Sequence, residues 1–472
     1  MSSSFAMASL ASLEGSTWIA GPDFHVDLGP LDARHPEHYS RRLLIFRCGS
    51  SDQRNAQINA LTAGLRRLVR RCPPLAGSVE PRQDAGFRLC GIAPGKGLEL
   101  VVKDMHSALP SFAELEEGDF QPEDLPFEYL MPEPQDFSTD QPYAACRIMY
   151  AAINGGTVIT WAMTHSLADG TGHNELMRAL AEEIKNSENS SDVGLSAITA
   201  DLGMDRSALI NITSELKFDA SNHPAYAGDA TRARRASTDW QLGFAAKDTE
   251  TPLLLSMSQK GLQRLKDDAT QADAPPISSH DALVALLWRS IMRIRRRRAG
   301  SAHGIRWDFD STLYFPTDAR KHLRLSPAYV GNAVYQLAVS LDLGTLLSPS
   351  GLQQAASAVR QSISSIDPAD VRALMVAYKD RWVEWGFMAA SLSTVDVAMG
   401  TDWTSGGMYD GDWGQAFGRL ERLRYPGEEG LNAIMPKLRY RGKGGAEVII
   451  SVLPDEADLL RSEEYFGKYL RV

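Results

Sequence analysis

Apolar and polar positions along this chain follow two periods in turn. "RRLLIFRC" (Arg41–Cys48) is a short apolar run flanked by charge, the pattern of a buried strand. In "INALTAGLRRLVRRC", Ile58, Leu61, Leu65, Leu68 and Cys72 recur at intervals of three and four, which defines one face of a helix that Pro73 and Pro74 stop. "GTVITWAM" (Gly156–Met163) is rich in β-branched residues and predicts a second buried strand. "GHNELMRALAEEIK" (Gly172–Lys185) then predicts a helix with Leu176, Leu180 and Ile184 on one stripe. The loop between them holds His165 and Asp169. The second half resumes with "LLLSMSQKGLQRLKDDA", a strand leading into a helix. "ISSHDALVALLWRSIMRI" follows, where Ser278 or Ser279 caps a helix with Leu283, Leu286 or Leu287, and Ile291 on its inner face. "GNAVYQLAVSLDL" and "AEVIISVLP" read as strands. Strands and helices interleave in both halves, so the fold class is α/β, or α+β with mixed sheets.

Length divides this pattern. A chain of 472 residues exceeds the ~250–300 at which a single core stops growing, so two domains are expected. From "NSENSSD" to about Thr238 the sequence is polar, small and without a sustained period, the composition of an exposed linker. The expected organisation is an N-terminal domain over 1–190, a crossover over 191–238 and a C-terminal domain over 239–472. Apolar residues make up 43% and charged residues 23%, ordinary for a globular protein. The net charge of -10 opposes attraction to phosphate backbones or anionic lipid, so neither nucleic acid nor membrane is an expected partner. "MSSSFAMASLASLEGSTW" lacks the basic flank and apolar core of a signal peptide, and no segment approaches the ~18 apolar residues of a membrane helix. Cys48, Cys72, Cys90 and Cys146 are spaced for neither zinc nor a disulfide framework. A cytoplasmic protein with reduced thiols is the expectation.

The stretch "WAMTHSLADGTG" (Trp161–Gly172) carries the candidate chemistry. His165 stands at the boundary of strand and loop, where a histidine is a core side chain, a metal ligand or a general base. No Cys, Asp or Glu pattern completes a metal site, although His173 lies eight residues on, so no metal is expected. The small residues Ala168, Gly170, Thr171 and Gly172 leave room for a ligand against the backbone, and an imidazole is the natural base for a hydroxyl or amine nucleophile. Asp169 is either a turn or capping residue or a buried carboxylate pairing with a distant arginine. "RIRRRR" (Arg293–Arg298) ends a helix, where cations are favoured, as solvated surface or as a phosphate contact.

H-x-x-x-D-G after an apolar strand resembles the motif of the BAHD acyltransferases, relatives of the chloramphenicol acetyltransferases and of peptide-synthetase condensation domains. Further matches follow in order along almost the whole chain. "GPLDARHPEHY" (Gly29–Tyr39) resembles the family's opening S-P-L-D, "CPPLAGSV" (Cys72–Val79) its Y-P-P-L-A-G-R turn, and "SSHDALVALLWR" (Ser278–Arg289) its S-T-F-E-A-L-A-A-L-V-W-R helix. "TDARKHLRLSPAYVGNAV" (Thr317–Val334) is similar to V-D-x-R-x-R … Y-F-G-N, and "TDWTSGGMYDGDWG" (Thr401–Gly414) to T-S-W-x-x-L-x-x-Y-D-x-D-F-G-W-G. Within the last, Trp413 replaces the phenylalanine, and Gln415 and Ala416 replace the closing tryptophan and glycine, which resembles the fungal secondary-metabolism branch more than the plant branch.

The resemblance implies a two-domain chloramphenicol acetyltransferase-like fold with the histidine in a channel between the domains. It implies direct acyl transfer from a coenzyme A thioester, most often acetyl-CoA, to a hydroxyl or amine of a small molecule, without a covalent intermediate or a permanently bound cofactor. His165 would be the base. Trp403, with Thr401 beside it, would donate to the oxyanion or simply pack in the core. Asp169 and Gly170 would shape the loop, Arg320 would pair with Asp169, and Asp412, Trp413 and Gly414 would be structural and distant from the histidine. Ser278, Ser279, Arg293 and Arg295 are the candidates for coenzyme A contacts. A monomer is expected. The alternatives are an amide-forming condensation enzyme, against which Thr164 stands in place of that family's first histidine, and a noncatalytic ligand-binding member of the fold.

Overall fold

The structure is a computed structural model and describes residues 15–32, 39–84, 87–132, 141–189, 202–226, 251–299, 308–380, 396–425, 432–436, 444–461 and 467–471. A six-stranded mixed sheet organises the first half, in the order Gly15–Ile19, Leu98–Asp104, Cys146–Ile153, Gly156–Thr164, Tyr39–Arg47 and Arg422–Arg424. Only Leu98–Asp104 and Cys146–Ile153 run parallel within it. Helices α1 (Ser51–Arg71) and α2 (Gly170–Asn189) cover one face, with Leu61, Leu65, Leu68, Cys72, Leu176, Leu180 and Ile184 fully buried between them and the sheet. Phe112, Leu115 and Phe120 cover the other. Burial on both faces explains why Gly156–Thr164 reads as a continuous apolar run rather than an alternating one.

In the second half, one sheet runs Thr401–Asp402, Ala433–Pro436, Gly445–Val452, Thr251–Ser258, Leu470–Arg471. A smaller one runs Val334–Asp342, Asp310–Asp318, Val397–Ala398. Helix α3 (Ser279–Ala299) is buried from Asp281 to Met292, Leu286 and Leu287 alike, so it has no single inner face. The reason is its surroundings: helices Gln259–Ala269, Gly351–Ser364 and Pro454–Arg461 enclose it. Its cap is Ser278, whose Oγ accepts from the N–H of Asp281 while that carboxylate accepts from Ser278 N–H.

Two features depart from the expected organisation. Of the crossover, residues 191–201 and 227–238 lie outside the described residues, as do 1–14 of the N-terminal stretch and the side chain of Cys90. The described part, 202–226, is no solvated linker: Leu202, Leu209, Ile212 and Tyr226 are buried against the folded halves. Isolated apolar residues at irregular spacing give no periodic signal. Later in the chain, Arg422–Arg424 pairs with Leu43–Ile45 of the first sheet, and Trp403, Trp413, Phe417 and Leu423 join the first core. A stretch expected in the C-terminal half thus closes the N-terminal sheet. Cys48, Cys72 and Cys146 are free and buried.

Candidate active site

The strand Gly156–Thr164 delivers His165 to a loop wedged between the two halves, and the bonds made by its neighbours decide its chemistry. Asn332 is fully buried. Its Nδ2 donates to the carbonyl of His165 at 2.8 Å and to Asp32 Oδ1 at 2.9 Å. Both are pure acceptors, so the amide orientation is fixed and Oδ1 faces His165 Nδ1 at 3.1 Å. Nδ1 must therefore carry the hydrogen, and the lone pair of the neutral ring lies on Nε2. Asp32, also fully buried, holds Asn332 further by accepting its backbone N–H at 2.7 Å, and itself receives Gly29 N–H and Arg206 Nε, each at 3.0 Å. Arg206 also donates to the carbonyl of Leu167 at 2.7 Å, inside the histidine's loop. Asp32, Asn332 and Arg206 carried no assigned role in the sequence. The first two stand inside matched motifs, but 300 residues separate them, and spacing alone gives no hint that they meet.

Asp169 pairs with an arginine of the second half. Arg320 Nη1 donates to its Oδ2 at 2.9 Å and Nη2 to its Oδ1 at 2.8 Å, a two-pronged pair between the halves in which both side chains are buried. Asp169 also accepts Gly172 N–H and Ala333 N–H, each at 2.9 Å, so it is at once the turn residue and the arginine's partner. Arg320 in turn holds the carbonyls of Tyr329 and Gly331. The pair thus pins the loop of His165 and the loop of Asn332 together. Gly172 allows the close approach: a methyl group there would collide with the carbonyl oxygen of Val330.

Trp403 is 2% exposed. A methyl group placed on Gly170 would lie 3.5 Å from Thr401 Oγ1 and 3.7 Å from Trp403 Nε1. Thr401, Trp403 and the loop of His165 therefore converge at Gly170. His173 is fully buried, against Ser40 and Trp161. Burial, with the charge of Arg42 adding to it, keeps its pKa well below the usual imidazole value, so it stays neutral.

Other sequence candidates lie elsewhere. Trp413 is buried edge-on against Phe46, Asp412 pairs with Lys185 at 2.7 Å, and Gly414 adopts φ +76°. The next two N–H groups cap the carboxylate of Glu188 near the far end of α2. At 1.5 Å per residue that is ~27 Å from Gly170. Arg295 is buried with Nη1 on the carbonyl of Asp396 at 2.9 Å, inside the packing of α3, and Arg298 pairs with Asp455. Arg293 is half-buried. Ser278 and Ser279 stand at the start of α3, where His280 Nδ1 meets Asp402 Oδ2 at 2.6 Å. Burial alone would lower the pKa of His280, but the hydrogen bond and charge of Asp402 raise it. The same contacts hold Asp402 below its usual range despite burial.

The loop of His165 thus lies between the two halves of an α/β protein, with Thr401 Oγ1 and Trp403 Nε1 close to Gly170 of the same loop. The chain belongs to the Transferase family, whose model matches residues 22–457, and within it to the BAHD-type acyltransferases. It is 27% identical to enoyl-CoA isomerase/hydratase claC of Penicillium crustosum over 97% of its own length, and spans 52% of that relative. It is 23% identical to trichothecene 3-O-acetyltransferase TRI101 of Fusarium sporotrichioides, over 92% of this chain and 93% of that one. The crystal structure of F. sporotrichioides TRI101 complexed with coenzyme A and T-2 matches at a TM-score of 0.77 and 21% identity, covering 95% of this chain and 99% of the other, which shows the shared fold.

Proposed function

We propose that this protein is an acyl-CoA-dependent O-acyltransferase that moves a small acyl group, acetyl in the first instance, to a hydroxyl of a natural-product small molecule. The observation that carries the proposal is the bond from His165 Nδ1–H to Asn332, which leaves Nε2 as the proton acceptor. In the reaction, the acceptor hydroxyl loses its proton to His165 Nε2 as its oxygen attacks the thioester carbonyl carbon. The tetrahedral oxyanion accepts hydrogen bonds from Trp403 Nε1–H and the hydroxyl of Thr401. Collapse breaks the carbon–sulfur bond, and the imidazolium returns the proton to the departing thiolate, so the acyl group reaches the acceptor without visiting the enzyme. Coenzyme A enters as a substrate, and the start of α3 around Ser278 and Ser279 is where the proposal seats part of it. Among the described residues no helix is long and apolar enough to cross a membrane, and the proposal carries with it a cytoplasmic monomer drawing on the soluble acyl-CoA pool.

The test is thiol release from a panel of acyl-CoA thioesters in the presence of hydroxylated acceptors, with the acyl adduct identified by mass. His165→Ala should lower kcat by roughly 10²–10⁴ with acyl-CoA affinity little changed. A fully active His165→Ala protein would overturn the base assignment. Strict dependence on a carrier-bound acyl group would point to condensation chemistry instead, and tight binding without turnover to a noncatalytic role.

A further inference from the structure

Arg42 lies on the strand Tyr39–Arg47, opposite Trp161 of the histidine's strand, and is fully buried. A buried arginine is ordinarily matched by a carboxylate, because an isolated charge is costly to remove from water. Here every hydrogen bond ends on a neutral acceptor: Asn174 Oδ1, Met177 Sδ at 3.7 Å and the carbonyl of Gly170 at 3.2 Å. Its Nε–H finds no acceptor among the described residues. Asp169, the carboxylate that acts on it through space, is held through both oxygens by Arg320. Burial pulls the guanidinium down to about 9, with Asp169 opposing, so it remains charged at neutral pH. The face of this uncompensated cation lies 4.1 Å from the ring centre of Trp403.

We propose that Arg42 is a positioning residue of the acyl-transfer site, its buried cation orienting the Trp403 indole and strengthening the N–H that donates to the oxyanion. The inference rests on the acyltransferase reading above. A cation over the π face draws electron density from the indole, which makes its edge N–H a better donor. The thioester of the ground state is neutral and the tetrahedral intermediate anionic, so the benefit falls on the transition state and should appear in kcat. Gly170 fits this geometry. Its carbonyl anchors Arg42 Nη2, while its missing side chain leaves open the space that Thr401 Oγ1 and Trp403 Nε1 face.

The experiment measures thiol release from acetyl-CoA with an accepted alcohol for the wild type, Arg42→Met, Arg42→Lys, Trp403→Phe and the two Arg42/Trp403 double variants. Trp403→Phe should lose roughly 10²–10³ in kcat, the usual effect of removing one oxyanion donor, and Arg42→Met about 10–10², with KM for acetyl-CoA changed less than ~3-fold. Arg42→Lys, which keeps the charge but not the flat stack, should recover part of the loss. In the Trp403→Phe background, Arg42→Met should cost almost nothing more. If Arg42→Met melts below the assay temperature, the same cycle with Arg42→Lys decides the point. Additive losses, or a loss confined to KM, overturn the role of Arg42 while leaving the activity standing. A wild type that transfers no acyl group from any thioester removes the activity and this inference together.

Discussion

Replacing Asp169 with Asn removes one charge and almost no volume, yet the structure makes it a severe change. Each carboxylate oxygen receives two donors: Oδ1 takes Arg320 Nη2–H and Gly172 N–H, and Oδ2 takes Arg320 Nη1–H and Ala333 N–H. An amide at this position must turn its NH₂ toward one such pair of donors whichever way it is flipped, so two bonds are lost and the buried Arg320 keeps only Asp318, 3.0 Å from its Nη1 and half-exposed, as a carboxylate partner. Breaking one partner of a buried pair costs about 3–5 kcal/mol. At ~2–4 °C per kcal/mol for a cooperative unit of 150–250 residues, melting should fall by roughly 6–20 °C. Arg320→Met should cost a similar amount, because it strands the carboxylate and frees the carbonyls of Tyr329 and Gly331. The double variant should be no worse than the poorer single, since the second substitution removes the buried charge that the first deprived of its two-pronged partner. Activity should fall with stability, because the two loops that bring Asn332 to His165 are pinned by this pair. The assay is calorimetric melting alongside thiol release for all four proteins. Strictly additive losses would refute the reasoning and reduce Asp169 to a local turn residue.

Asn332→Ala should retain the fold but lose a large part of kcat, because the acceptor that holds the hydrogen on His165 Nδ1 is removed. A nitrogen-15 NMR titration of the histidine ring should show a mixture of tautomers where the wild type shows one. Gly172→Ala should fail to accumulate as folded protein, or melt far below the wild type, because its methyl group meets the Val330 carbonyl. An unchanged melt would mean the loop relaxes freely. Replacing the His280–Asp402 pair by Phe and Ser should make stability less dependent on pH. The pKa of His280 is raised above its ordinary 6.5, so its contribution is complete below about that pH and lost as pH rises through the raised value. The pKa of Asp402 is depressed below its ordinary 3.8, so its contribution is present above that value and lost as pH falls through the depressed one. The wild type should therefore exceed the double variant most between about pH 4 and 6.5, and equal differences at pH 5.5 and 8.5 by thermal melting would contradict this.

The local periods of this sequence determined its local structure. Strand Gly156–Thr164, helix α1 and helix α2 form where a β-branched apolar run and three-four spacing put them, because those patterns are set by neighbours a few residues apart. The motif around His165 pointed to the loop that lies between the halves, and the resemblance it carries gave Asp169 its partner. What only tertiary structure decided is which distant groups surround that loop. Asn332 and Asp32 meet His165 across a sequence separation that no local pattern spans, and Arg206 reaches the site from a stretch that read as solvated linker. Arg42 sits in an apolar strand as one charged residue among many, and only packing shows that it faces Trp403 rather than a carboxylate. The strand Arg422–Arg424 is three residues long with no period of its own, and it crosses to the first sheet because that sheet's edge offers the unpaired backbone groups it needs. Sequence patterning records what a residue shares with its near neighbours along the chain. A site is made of residues that share only a place.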